Sequence, residues 1–159
     1  MAEGKVLTGA GLRGQVAGKT ALSTVGKSGA GLTYRGYDVQ DLAEHCQFEE
    51  VAYLIFFGEL PTAEQLAAYK AKLKSLRRLP QALKEVLERI PADSHPMDVM
   101  RTGVSALGCT LPERESQPTS EARDIADKLI ASLGSMLLYW YHYSHNGKRI
   151  DVETDDDSI

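Results

Sequence analysis

Ser120-Glu121-Ala122-Arg123-Asp124-Ile125-Ala126-Asp127-Lys128-Leu129-Ile130-Ala131-Ser132-Leu133-Gly134-Ser135-Met136-Leu137-Leu138-Tyr139-Trp140-Tyr141-His142-Tyr143-Ser144-His145 reads as one long helix. Ile125, Leu129, Leu133, Met136, Leu137 and Trp140 recur in it at helical spacing and are expected to be buried. Asn146-Gly147 supplies a stop, because glycine adopts the left-handed conformation that ends helices. The most apolar part, residues 129–141, is too short to span a bilayer and follows Asp127 and Lys128. It is expected inside a helical protein.

Working outward, residues 110–120 are polar and proline-punctuated, which marks a loop. His95-Pro96 opens the preceding helix, with histidine as its cap and Val99, Met100, Val104 and Leu107 on its apolar side. Leu83, Val86, Leu87 and Ile90 mark another helix that Pro91 ends. Thr62 and Gln65 form a capping box for a helix over residues 63–78, with Leu66, Tyr69, Leu73 and Leu76 inward and Lys70, Lys72, Lys74, Arg77 and Arg78 outward. Residues 48–57 predict an apolar helix ending at Gly58, and Asp38 caps a short one through His45. Before Tyr37 the character changes. Residues 1–37 hold most of the fourteen glycines, and the β-compatible runs 21–25 and 32–37 flank a Gly26-Lys27-Ser28-Gly29-Ala30-Gly31 turn, which predicts a hairpin. The fold class is therefore mainly α with a small N-terminal β-hairpin, divided into a glycine-rich segment, 1–37, and a helical part, 38–159.

A length of 159 residues with 43% hydrophobic content supports a substantial core, and a net charge of −4 supplies no global positive field for nucleic acid or an anionic membrane. Cys46 and Cys109 have neither metal-ligand spacing nor disulfide density, which suits reduced thiols in a cytoplasm. No secretory leader is visible after Met1.

The motifs that resemble phosphate cradles lack the right context. Gly9-Ala10-Gly11-Leu12-Arg13-Gly14 matches G-x-G-x-x-G, but no alternating β/α pattern surrounds it. Gly14-Gln15-Val16-Ala17-Gly18-Lys19-Thr20 is one residue short of a P-loop. His142 and His145 share a helix face without a third ligand nearby, and with His45 they read as packing or C-terminal capping residues. The tail, Asp155-Asp156-Asp157-Ser158, reads either as a helix start whose helix has been cut off or as an acidic disordered tail.

Leu32-Thr33-Tyr34-Arg35-Gly36-Tyr37-Asp38, Phe48-Glu49-Glu50-Val51-Ala52-Tyr53-Leu54, Gly58-Glu59-Leu60-Pro61-Thr62 and Ser94-His95-Pro96-Met97-Asp98 are ordered and spaced as in the citrate synthase family. The resemblance covers residues 11–159. The segments 97–109 and 138–147 are most similar to the 2-methylcitrate synthases within it. The chain thus looks like the N-terminal portion of such an enzyme, part of a helical large domain that stops before the small domain.

The resemblance implies condensation of propionyl-CoA, or acetyl-CoA, with oxaloacetate, by an Asp base and histidines that stabilise the enolate and protonate the carbonyl. It implies a homodimer, no metal, acyl-CoA as substrate rather than resident cofactor, and completion by the remainder of the polypeptide. The family's catalytic residues would lie beyond Ile159, leaving this piece inactive by itself. Arg13 and Arg114 are carried over as coenzyme A phosphate ligands, suited by the guanidinium fork. Lys72 is carried as a substrate-binding cation. A structural or dimerisation module without activity, an independent helical interaction domain, and a citrate synthase proper remain alternatives.

Overall fold

The computed structural model describes residues 16, 18–26, 31–111 and 118–159. Among these, β1 (Ser23–Val25), β2 (Leu32–Tyr34) and β3 (Tyr37–Asp38) form an antiparallel sheet in sequence order, with Thr24 opposite Thr33 and Tyr34 opposite Tyr37. The expected hairpin is present and gains a third strand. Arg35 and Gly36 turn the chain between β2 and β3 at φ 51° and 94°, the doubly left-handed geometry that matches strand twist in tight hairpins. Arg35 spends its side chain elsewhere: a guanidinium N–H donates to the Ile55 carbonyl at 2.7 Å, tying the turn to a helix end.

Local chemistry sets the helix boundaries. Asp38 caps α1 (Val39–His45) by accepting from the Gln40 amide, and Glu50 accepts from the Gln47 amide at the start of α2 (Phe48–Phe57). Gly58 ends α2 at φ 96°. Thr62 and Gln65 make the reciprocal capping box of α3 (Ala63–Ser75). Pro80 precedes α4 (Gln81–Leu87). The His95 ring accepts from the Met97 amide and caps α5 (Pro96–Thr110), while Gly147 closes α6 (Thr119–Asn146) at φ 65°. Among the described residues, no helix is long and apolar enough to cross a membrane.

α6 lies against α3, α4 and α5. The larger core cluster joins Leu79, Leu83 and Leu87 with Val99, Leu107, Met136, Tyr139 and Trp140, and a smaller one joins Ala52, Tyr69, Leu73 and Ala131. Trp140 donates its indole N–H to the Ile90 carbonyl at 3.2 Å, which satisfies the polar edge of a buried ring.

Three expectations need correction. Ile125, Leu129, Leu133 and Leu137 are partly rather than fully buried, with Leu129 and Leu137 packed at the margin of the larger core, and α6 turns Asp127, Ala131, Ser132 and Tyr139 inward as well. Arg77, expected outward, is 5% exposed, for α3 ends at Ser75 and the chain bends beneath the tail. The disordered-tail reading of residues 155–158 gives way to specific contacts: Ser158 and Ile159 bond the buried Glu49.

Gly103 marks the closest approach of α5 to the core, since a Cβ there would sit 3.1 Å from Met136 Sδ and 3.5 Å from Leu87 Cδ2. Met136 Sδ belongs to a flexible side chain that can give way to one methyl group, whereas a branched side chain meets Leu87 as well. Gly103→Leu is expected to lower unfolding free energy by about 1–3 kcal/mol, and Gly103→Ala to change it far less. Urea unfolding followed by circular dichroism checks the ordering.

Candidate functional site

Of the three residues expected to touch ligand, Arg13 and Arg114 lie outside the described residues, and Lys72 lies within them. Lys72 lies on α3 facing α6. Its ammonium donates to Asp124 at 2.7 Å and to Asp127 at 2.6 Å, and Asp127 also accepts from the Tyr69 hydroxyl at 2.8 Å.

Asp127 is 2% exposed, and the Tyr69 hydroxyl and Lys72 ammonium supply its hydrogen bonds in place of water. Desolvation, then the Asp127 hydrogen bond, pushes the Tyr69 hydroxyl well above its ordinary range, which keeps it a donor. The hydrogen bonds that Lys72 donates to Asp124 and Asp127 raise its pKa and keep it cationic. One ammonium between two carboxylates leaves the trio net negative. An anionic group at Lys72 must therefore displace a carboxylate, and Asp124 is the exposed partner.

A second polar tie closes the other end of the helical core. Glu88 accepts from Arg149 at 2.7 and 2.8 Å, a bidentate pair, and from the Tyr139 hydroxyl at 2.7 Å. These bonds, Arg149 foremost, hold the Glu88 carboxyl down to about 2. Just past the C-terminal end of α3, Lys128 donates to the carbonyls of the cap residue Leu76 and of Arg78 in the following loop, at 2.7 Å each. Burial lowers its pKa.

The histidines are used locally. His95 caps α5, the Nδ1 of His45 lies 3.0 Å from the Asp41 carbonyl, and that of His145 lies 3.0 Å from the Tyr141 carbonyl. Among the described residues no group of three His, Cys, Asp or Glu side chains converges as a metal site would. A cavity of about 510 Å³ opens between α5 and α6, floored by Leu76, Leu107, Leu111, Ile125 and Leu129, with Asp124 and Lys128 among its lining residues. Sequence reasoning missed Asp127, Glu49 and Arg77 as buried charges, because nothing local distinguishes them from surface residues.

The profile described as citrate synthase, C-terminal domain, matches residues 11–159. Over 159 residues the chain is 69% identical to a 2-methylcitrate synthase of Shewanella oneidensis, covering 100% of this chain and 42% of that protein. It is 47% identical over 112 residues to a citrate synthase of Mycolicibacterium smegmatis, covering 70% of this chain and 29% of that protein. The solved citrate synthase of Thermotoga maritima superposes with a TM-score of 0.75 at 29% identity, covering 89% of this chain and 36% of that one. The chain thus spans well under half the length of these relatives.

The Glu88 tie has a pH signature. The folded carboxyl titrates near 2 against an ordinary 4.5, so ionisation favours the fold. Its contribution is whole above pH 4.5 and falls away as the pH drops toward 2. The stability advantage of the native sequence over Glu88→Gln is expected to be largest near neutrality and to shrink through that window, as urea midpoints across a pH series would show.

Proposed function

This chain belongs to the citrate synthase family, and we propose that the enzyme it helps to build condenses propionyl-CoA with oxaloacetate and water, releasing 2-methylcitrate and coenzyme A. The observation that carries this reading is the 69% identity, unbroken over all 159 residues, to a protein named for that product. Acetyl-CoA with citrate as product is the second reading, favoured by the 47% identity to a citrate synthase.

In this proposal the chain is scaffold and coenzyme contact rather than reacting centre. The described histidines are engaged as caps and ring contacts, and the buried Asp127 is neutralised by Lys72, so none stands as a base beside an open pocket. Proton abstraction next to the thioester, enolate stabilisation and carbonyl protonation fall to residues supplied by the rest of the enzyme. Arg13 and Arg114 hold phosphates of the coenzyme. Lys72 takes a substrate anion only by exchanging Asp124 for it. Acyl-CoA is a substrate here, not a resident cofactor.

The proposal includes a cytoplasmic homodimer. Leu138 and Tyr141 on α6 are 55% and 48% exposed, large apolar groups on a helix whose other faces are already covered. Gly134, with open space around it, sits one turn before Leu138 and lets a second helix approach. Cys46 and Cys109 are free thiols, in keeping with a reducing compartment.

Release of coenzyme A thiol tests the reaction. With oxaloacetate, the full enzyme is expected to use propionyl-CoA with kcat/KM above that for acetyl-CoA by a factor of order 10, the low end of what one methylene confers. The 159-residue chain alone is expected to release no thiol above a protein-free control. Absence of thiol release by the full enzyme with either thioester would overturn the proposal, and preference for acetyl-CoA would select the second reading.

For Arg13→Ala the expected result is a raised KM for acyl-CoA, by roughly tenfold for one lost charged hydrogen bond, with the KM for oxaloacetate unchanged. Steady-state titration of each substrate in turn separates the two constants.

A further inference from the structure

Over residues 124–128, α6 meets α3 through two lysines that are held in opposite ways. Lys72, on α3, donates to the carboxylates of Asp124 and Asp127, partners that bind its positive charge. Lys128, on α6, donates at 2.7 Å to two carbonyls, those of Leu76 and Arg78. A carbonyl oxygen carries no net charge and accepts from a neutral amine as well as from an ammonium.

An ammonium has three N–H donors, and among the described residues two of those on Lys128 find a protein acceptor. Loss of the third proton therefore keeps both carbonyl bonds and leaves a lone pair on Nζ, directed away from them. Burial, the larger influence, lowers the Lys128 pKa against the opposing charge of Glu153, which itself lies 3.7 Å from Arg78. Deprotonation of Lys72, by contrast, forfeits the attraction of two carboxylates.

The half-buried Lys128 side chain also lines the cavity of about 510 Å³ between α5 and α6. Leu107, Leu111, Ile125 and Leu129 supply apolar wall, and Glu121 and Asp124 are the other charged residues of the lining. An amine desolvated beside apolar side chains is the arrangement that activates a lysine toward carbonyl carbon.

We propose that Lys128 is an acylation site, modified at Nζ by short-chain acyl-CoA thioesters that reach it through this cavity. The acyl donor rests on the function proposed above. After the ammonium gives one proton to water, Nζ adds to the thioester carbonyl carbon. The C–N bond forms, the C–S bond breaks, and sulfur leaves with the electron pair and takes up an amine proton as coenzyme A thiol. The resulting amide has one N–H where the amine had two, so it serves the Leu76 or the Arg78 carbonyl and not both. Excess acyl donor thus loosens the tie between α3 and α6.

Full-length enzyme incubated with propionyl-CoA and no oxaloacetate, then digested for peptide mass spectrometry, tests this. Acyl groups are expected to accumulate on Lys128 about tenfold faster than on Lys72, the factor implied by one charged hydrogen bond that Lys72 must give up. In urea the two rates are expected to converge. Gly108 lines the same cavity, and a Cβ added there meets nothing within 4 Å. Gly108→Leu is therefore expected to fold, to occupy the cavity and to slow acylation at Lys128 several-fold with no change at Lys72.

Equal rates at the two lysines in the folded enzyme, a preference that survives urea, or a Lys128 rate indifferent to Gly108→Leu would each overturn the proposal. Thiol release with oxaloacetate is followed on the same sample. Condensation by an enzyme whose Lys128 stays unmodified sinks this inference alone, whereas Lys128 acylation without condensation counts against the reading of function and supports the site.

Discussion

α6 cannot stand in water by itself, and the arrangement of the other helices follows from that constraint. Met136, Tyr139 and Trp140 on one side require α4 and α5, whereas Ala131 and the Asp127 carboxylate on another require α3. The apolar side is covered by leucines and by the close approach at Gly103. The polar side is covered by a hydroxyl and an ammonium matched to one carboxylate. Burial of the charge specifies how α3 sits against α6 more than it adds stability, since an apolar pair of the same volume would often serve as well energetically.

The parts of this fold that could be read from the sequence are those whose causes lie within a few residues. Asp38, Thr62 with Gln65, His95 and Gly147 each terminate a helix through partners two to five residues away, and each was legible. The Tyr69–Asp127 bond joins residues 58 apart, Arg77 reaches Ser158 across 81, and Glu49 reaches Ile159 across 110. No local pattern encodes such pairings, so Arg77 read as surface and Glu49 as part of an ordinary first helical turn. Periodicity likewise located α6 and the burial of Met136 and Trp140, but not the whole inward stripe, which includes Asp127 and Ser132, residues that a hydropathy reading assigns to solvent.

The candidate site was less legible than the fold for a different reason. Arg13 and Arg114 rest on resemblance and lie outside the described residues, while Lys72 is committed to Asp124 and Asp127 within the chain. A cationic helix face in a sequence says nothing about which carboxylates a later segment will bring to it. The family, by contrast, was legible, because a series of moderately specific segments in fixed order is harder to match by chance than any one catalytic motif.

Arg35 shows how two requirements can meet at one position. Its backbone is left-handed, a conformation that costs a side-chain-bearing residue about 1–2 kcal/mol and glycine little. Its side chain supplies the link from the β2–β3 turn to the Ile55 carbonyl, which glycine would forfeit. Relief of the first requirement sacrifices the second by a similar amount, so residue 35 sits at a local optimum between opposed pressures. A mutational survey would then record this position as intolerant although it belongs to neither core cluster, and would take for a functional signature what is a compromise between a turn and a tether.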